Sequence, residues 1–359
     1  MGKSLKKIKQ NLARQAEQLN LPAEAKLWPG QLFVSADNSL VEIDKITAGI
    51  RDFSKLSAQG LKVKYLFEVS SYYQSQIAAA LAFGNFRNKI DLQQQSKSIS
   101  DVVIIIPPRR KIKLVFDNLV GQVGGNLFFV AQSGSEVEIV ENEAGVGFGS
   151  VFVIAGKESQ IDYFFAKHAS RRGYYQADLK QGSTVNFYSS VKPKDFLHLT
   201  VAISHWQDFS QGNIRSIFQA SGTSKSVVNL INYHYGKNTK GDIIFRGVGR
   251  GKAWSRVNGF IIIDKRAFVT DSYLQEDLLL LSDQVNVKAE PNLEILNNDV
   301  RASHGATLGT VDDSQLYYLR SRGLTKRQAE KIIEKGFLRS VADSINSDLI
   351  KTHFIDQLK

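Results

Sequence analysis

From Ile99 to about Val300 the chain is a succession of short runs rich in Val, Ile, Phe and Tyr, broken about every ten residues by Gly, Ser, Asn or Asp. Runs of that length, bounded by turn-forming residues, specify many short β-strands and leave no room for a helical core. Within this region a glycine turn followed by an alternating strand recurs. It is clearest at Ser133-Gly134-Ser135-Glu136-Val137 and Gln181-Gly182-Ser183-Thr184-Val185, with degenerate copies at Ala155-Gly156 and Ser221-Gly222. Gly134, Gly156, Gly182 and Gly222 are separated by 22, 26 and 40 residues, the last gap being about two of the first. Strands alone, at a period of roughly 20 to 25 residues, suit stacked coils of a β-solenoid. A β-sandwich with similarly spaced turns gives the same pattern, and periodicity leaves both open.

The flanks have a different texture. Leu5, Ile8, Leu12 and Leu19 predict an amphipathic helix over residues 1–20, ended by Pro22. Pro29-Gly30 marks a turn, and Ser39–Ile46 is strand-like. Glu68–Phe83 reads as a helix with Gly84 as its C-cap. The leucine run within Gln275–Asp283 fits a helical turn or a buried strand equally. At the C-terminal end, Asp312 to Gln315 and Thr325 to Gln328 have capping-box spacing, with Gly323 and Gly336 as candidate C′ residues. Val341, Ile345, Leu349 and Ile350 suggest a third helix. This tail is too small to fold alone and is expected to pack on the rest. The predicted organisation is a mainly helical domain over 1–96, a β core over 97–305 and a helical domain over 306–359.

The 359 residues include no cysteine. That excludes disulfides, thiolate nucleophiles and thiolate-held clusters within the chain, and fits a reducing, cytoplasmic compartment. The charged N-terminus lacks an apolar segment behind it, so no secretion signal is expected, and no apolar run is long enough to span a bilayer. The formal charge of +11 is spread along the chain, with local runs only at Lys3–Lys9, Arg109–Lys113 and Lys167–Arg172. No nucleic-acid-binding motif accompanies them, which argues against such a partner.

Enzymatic motifs fail on inspection. Gly247-Val248-Gly249-Arg250-Gly251-Lys252-Ala253 is one residue short of a phosphate loop, and Ala253 replaces the magnesium-binding hydroxyl. Gly145–Gly149 lacks the third glycine of a dinucleotide fold. Glu136 and Glu138 alternate along a strand as a solvated face does. The six histidines, His168, His198, His205, His234, His304 and His353, show no ligand spacing. His304, in Ser303-His304-Gly305-Ala306-Thr307 between the strand-rich and helical regions, can ligate iron or relay a proton, or simply belong to a polar turn.

The stretch from Pro291 to Gly323 is more specific than any of these. Pro291, Leu293-Glu294-Ile295, Asp299-Val300, Ser303-His304-Gly305-Ala306-Thr307, Gly309, Asp312 and Tyr318-Leu319-Arg320-Ser321-Arg322-Gly323 stand in order. Arg246-Gly247-Val248, Asn258-Gly259, Gln275, Leu278–Leu280 and Ser282 precede them. Together they resemble the SufB/SufD family of iron–sulfur cluster assembly proteins, on its SufD side, over about residues 240–340. The resemblance implies a right-handed parallel β-helix between N- and C-terminal helical parts. It implies a non-catalytic scaffold that pairs with a SufB-like paralogue along an edge containing Leu293, Ile295 and Val300. It further implies docking of a SufC-like ABC-type ATPase near Leu316, Tyr317, Tyr318, Arg320, Arg322 and Gly323, with sulfur arriving from a cysteine desulfurase system.

His304, flanked by Ser303 and Gly305, matches the histidine proposed to act at the family's assembly interface, as an iron ligand or proton carrier. Family members usually carry Cys two residues before it, where this chain has Ala302. Any sulfur ligand must therefore come from a partner. No cofactor is expected to stay on the isolated chain, a transient shared iron–sulfur cluster is implied, and flavin binding is left open. A homodimeric relative without cluster chemistry and a basic nucleic-acid-binding solenoid are the rival readings.

Overall fold

The computed structural model describes residues 61–65, 69–82, 102–117, 126–142, 150–168 and 172–358. The helix expected over 1–20, the stretch Ser39–Ile46, Gly84, the Lys3–Lys9 run and the Gly145–Gly149 motif lie outside these residues.

In chain order the strands are β1 (Lys62–Tyr65), β2 (Val102–Ile106), β3 (Lys111–Asp117), β4 (Asn126–Ala131), β5 (Glu136–Asn142) and β6 (Ser150–Ala155). Next come β7 (Gln160–Lys167), β8 (Arg172–Leu179), β9 (Thr184–Val191), β10 (Phe196–His205), β11 (Gln211–Ala220) and β12 (Lys225–His234). The last are β13 (Lys240–Gly249), β14 (Trp254–Ile263), β15 (Thr270–Leu280), β16 (Asn286–Ile295) and β17 (Val300–Thr310). Helix α1 (Ser71–Ala82) lies between β1 and β2. Helices α2 (Asp313–Ser321), α3 (Lys326–Arg339) and α4 (Asp348–Asp356) follow β17, with a 3₁₀ turn at Ser340–Ser344.

The even-numbered strands form one sheet, with β1 antiparallel at its start, and the odd-numbered strands from β3 form the other. Every strand from β2 onward pairs in parallel with the strand two places along, so each coil gives one strand to each sheet. This is a parallel β-solenoid and not the antiparallel sandwich. The leucine run resolves as strand, β15. The last strand continues to Thr310, beyond the 305 boundary read from sequence.

In-register parallel pairing puts equivalent residues on the same face. Leu127, Val151, Tyr175, Val201, Leu230, Gly259 and Pro291 thus form one inward column. Columns like this fill the lumen, which includes the stacked rings of Phe165 and Tyr175, with centroids 3.7 Å apart. Glu136 and Glu138 sit on the outside, paired with Lys111 and Lys113 of the preceding coil.

One corner of each coil carries a residue with positive φ: Arg109, Gly134, Glu158, Gly182, Phe209, Asn238 and Val269. Each donates its amide to a carbonyl in the next coil, from Arg109 to Ser133 through Val269 to Asp299. Only two of these seven are glycine, so the ladder offsets the cost of a left-handed backbone at side-chain-bearing residues. Gly156 is not the left-handed residue of its turn; Glu158 is. Gly222, read as a copy of the same turn, lies at the opposite corner, between β11 and β12.

The helices cover opposite sheets. Ile77, Ala80 and Leu81 of α1 pack with Val103, Phe128, Phe152 and Tyr174 on the even-numbered sheet. Leu338, Val341, Ile345, Ile350 and Phe354 pack with Val140, Phe164, Ile217, Val248 and Leu279 on the odd-numbered sheet. This is the support that a tail of this size requires. Thr325 and Gln328 form the expected capping box, whereas Asp312 caps α2 through the Ser314 amide instead of Gln315. Gly323, at φ +90, follows α2 as expected. Gly336 lies inside α3, and the single helix expected near Val341–Ile350 is split at Ser347, which caps α4.

Candidate functional site

The solenoid ends in a coil that nothing covers among the described residues. β16 pairs only with β14, and β17 only with β15, so both outer edges present backbone groups without a strand partner. Burial falls away with them. On β14 the inward Ser255, Val257, Ile261 and Ile263 are buried. On the terminal coil Leu293, Val300 and Ala302 are only partly buried against the same core. Ile295 is 39% exposed, Leu308 55% and Leu296 70%. Ile295 and Leu308, in register with the buried Ile263 and Leu278, are lumen positions that lack the next coil, and Leu296 lies in the turn beside them. Pro291, stacked on Gly259, removes one amide from the β16 edge.

His304 pairs in register with Leu274, which is fully buried. It therefore belongs to the inward face of β17, where the absence of a further coil leaves it exposed at the rim of the lumen. Ser303 is exposed on the opposite face, in register with Tyr273. Gly305 gives room to Gln275: an added Cβ would lie 2.7 Å from Gln275 Oε1. Gln275 is held by the Tyr273 hydroxyl, which donates to its Oε1, and by its own Nε2, which donates to Asp277. The fold thus brings His304, Leu293, Ile295 and Val300 to one open end. No group of three or more His, Asp or Glu side chains able to hold a metal occurs among the described residues.

Beneath this end lies Glu276, which sequence inspection passed over inside the leucine run. It is inward on β15, in register with Ala306 and diagonal to His304. Its side chain is fully buried, and neither carboxyl oxygen has a hydrogen-bond partner. Gly259 makes the space, since a Cβ there would come within 2.6 Å of Glu276 Oε1. Burial pushes the Glu276 pKa up to about 8; the Gly259 backbone pulls it down, without hydrogen-bond geometry, and Glu290 pushes it up. At neutral pH the site holds an uncharged acid.

A second buried polar group was also missed. His205 and His234 stack in adjacent coils with centroids 4.3 Å apart. Their Nδ1 atoms bond to Ser210 and Thr239, while neither Nε2 has a partner. Burial lowers His205 to about 3 and His234 well below the ordinary histidine value. Their spacing of 29 residues equals one coil here, which is the only signal the sequence carries for the pair.

The helical residues picked out from sequence form a second exposed surface. No residue of α2 is buried. Tyr317 is 76% exposed and Tyr318 57%, while Arg322 stacks over the Tyr318 ring at 5.4 Å. Leu316 is half-buried, and Arg320 and Gly323 are exposed. This surface lies on the helical unit and is distinct from the coil edge. No described helix is long and apolar enough to cross a membrane.

Both surfaces fall within the stretch that known proteins match. Residues 118–337 match the SufBD core domain of the SUF system of FeS cluster assembly. The iron–sulfur cluster assembly protein SufD of Bacillus subtilis is 31% identical over 152 residues, 42% of this chain and 35% of its own length. SufD of Escherichia coli is 34% identical over 101 residues, 28% of this chain and 24% of its own. A SufBD family protein of Mycobacterium leprae is 24% identical over 255 residues, 68% of this chain and 29% of its own. The matched part spans only about a quarter to a third of the length of these relatives.

Proposed function

The chain belongs to the SufBD family, whose core domain it matches over more than half its length, and on that premise we propose that it is a supporting, SufD-type subunit of an iron–sulfur cluster assembly complex. The observation that carries the reading is the uncovered terminal coil. It combines two free strand edges, a partly exposed lumen and a rim histidine. A second solenoid of the same cross-section, a SufB-like paralogue, would continue both sheets and cover Leu293, Ile295 and Leu308. Burying apolar side chains there contributes about 25 cal/mol per Å² of surface removed from water.

At that junction His304 supplies an imidazole as an iron ligand or as a proton carrier for sulfur transfer. With no cysteine and with Ala302 two residues before His304, this chain leaves every thiolate to the paralogue. The exposed face of α2, with Tyr317, Tyr318 and Arg322, would receive a SufC-like ABC-type ATPase. ATP hydrolysis then belongs to that partner, and sulfur comes from a cysteine desulfurase system.

Co-expression with a cysteine-bearing SufB-like paralogue and a Walker-motif ATPase tests this. The expected outcome is one complex containing all three, in which Leu308→Asp removes the paralogue and Tyr317→Asp removes only the ATPase. His304→Ala is expected to leave assembly of the complex intact and to lower cluster yield on reconstitution about tenfold. A chain that elutes only with copies of itself, or a His304→Ala complex with full yield, would favour the homodimeric relative without cluster chemistry.

A further inference from the structure

We propose that the cleft between α3 and the rim of the solenoid binds a phosphate-type oxyanion. The cleft has a volume of about 680 Å³ and is lined by His168, Lys192, Lys194, Thr223, Arg250 and Glu334, among others. It lies away from the coil edge and from α2. Three cationic side chains face it, against one carboxylate in its lining.

His168 feels both the burial and the lysines. Burial lowers its pKa to about 4, and Lys192, Lys194 and Lys167 all push the same way. Lys192 is lowered too, by burial, with Glu334 opposing. Arg250 is held by Glu330 and Glu334, both at 3.1 Å. Glu334 therefore already answers Arg250 and is also the acidic neighbour of Lys192, whose ammonium donates to the Gln357 carbonyl, while Lys194 makes no ion pair among the described residues. Burial, the larger cause, disfavours any charge, but the lysine contribution reflects a positive potential that favours an anion.

The backbone adds donors. At this corner Arg250 and Lys252 donate their amides to Ala220 and Gly222 of the coil before. One coil earlier the corner is tied by the Lys225 amide, which donates to Asp195. The amides of Gly222 and Thr223 donate to no backbone carbonyl among the described residues. Gly222 has φ +61 and open space on its Cβ side. A left-handed turn with free amides beside lysines is a concavity suited to tetrahedral oxyanions. The cleft is larger than phosphate alone, so it also admits a phosphate carried on a nucleotide.

The test uses the whole chain. The His168 ring resonances are titrated by NMR with inorganic phosphate, with ADP, and with chloride at matched ionic strength. Phosphate is expected to bind and to raise the His168 pKa above about 4. Tighter binding of ADP than of phosphate would identify a nucleotide-borne group, and equal binding the free ion. Lys194→Glu, at an exposed position that folding tolerates, is expected to weaken binding about tenfold, and Glu334→Gln to strengthen it. If phosphate and ADP move His168 no more than chloride does, or if Lys194→Glu binds as tightly as the parent, there is no such site.

Discussion

At pH 8 the Glu276→Gln variant is expected to unfold at a markedly higher urea concentration than the parent chain, with the difference vanishing below pH 4.5. The reason is the unpaired acid beneath the open coil. Its pKa of about 8 in the folded chain exceeds the ordinary glutamate value of 4.5. Between those values the native state keeps a proton that the unfolded chain releases. Stability from this group is therefore complete below pH 4.5 and is lost as pH rises through 8. The full loss is on the order of 5 kcal/mol. Glutamine keeps the shape and removes the titration, so its profile should be flat where the parent's falls. Parallel profiles across this range would show that Glu276 ionises in the native state without difficulty.

The acid limb should belong to the histidine stack. His205 falls to about 3 and His234 lies well below its ordinary 6.5 because both are buried and neutral. The unfolded chain binds their protons first. Their stability is complete above pH 6.5 and is lost as the pH falls toward the folded values. At pH 5 the loss from His205 alone is about 2 kcal/mol, and His168, lowered to about 4, acts in the same direction. Asp178, raised to about 6 by burial, opposes them over its own range. The double variant His205→Gln, His234→Gln is expected to lose some stability at pH 7 and to have a shallower decline from pH 6.5 to 4. Circular dichroism melts across this range supply the check. A decline as steep as the parent's would move the acid sensitivity elsewhere. With both limbs present, the parent is most stable between them, near pH 6.

These groups also mark what the sequence could and could not disclose. Strand runs broken by turn residues were legible because alternation has a local cause. The coil repeat was half legible. Gly134 and Gly182 announce left-handed corners, but Glu158, Phe209, Asn238 and Val269 occupy the same corner with no glycine to betray it. Their backbone is set by hydrogen bonds to the next coil, which local sequence does not encode. Gly222 misled for the converse reason, having the same local chemistry at the other corner. Gly336 looked like a helix end, yet α3 runs through it toward Leu338, whose packing on the odd-numbered sheet outweighs the local penalty of a glycine. His304 was found through its neighbours in an ordered motif. Glu276 was hidden by flanking leucines, because an unpaired acid inside a lumen is a property of depth rather than of pattern.

The account rests on the terminal coil being a junction rather than a plain end. Hydrogen exchange of the chain alone, and then with a cysteine-bearing SufB-like paralogue, tests that directly. The expected result is new protection of amides across β16 and β17, from Asn286 to Thr310, with the outer-face amides of earlier strands unchanged. Protection confined to the helices, or none at all while the two chains remain bound, would contradict it.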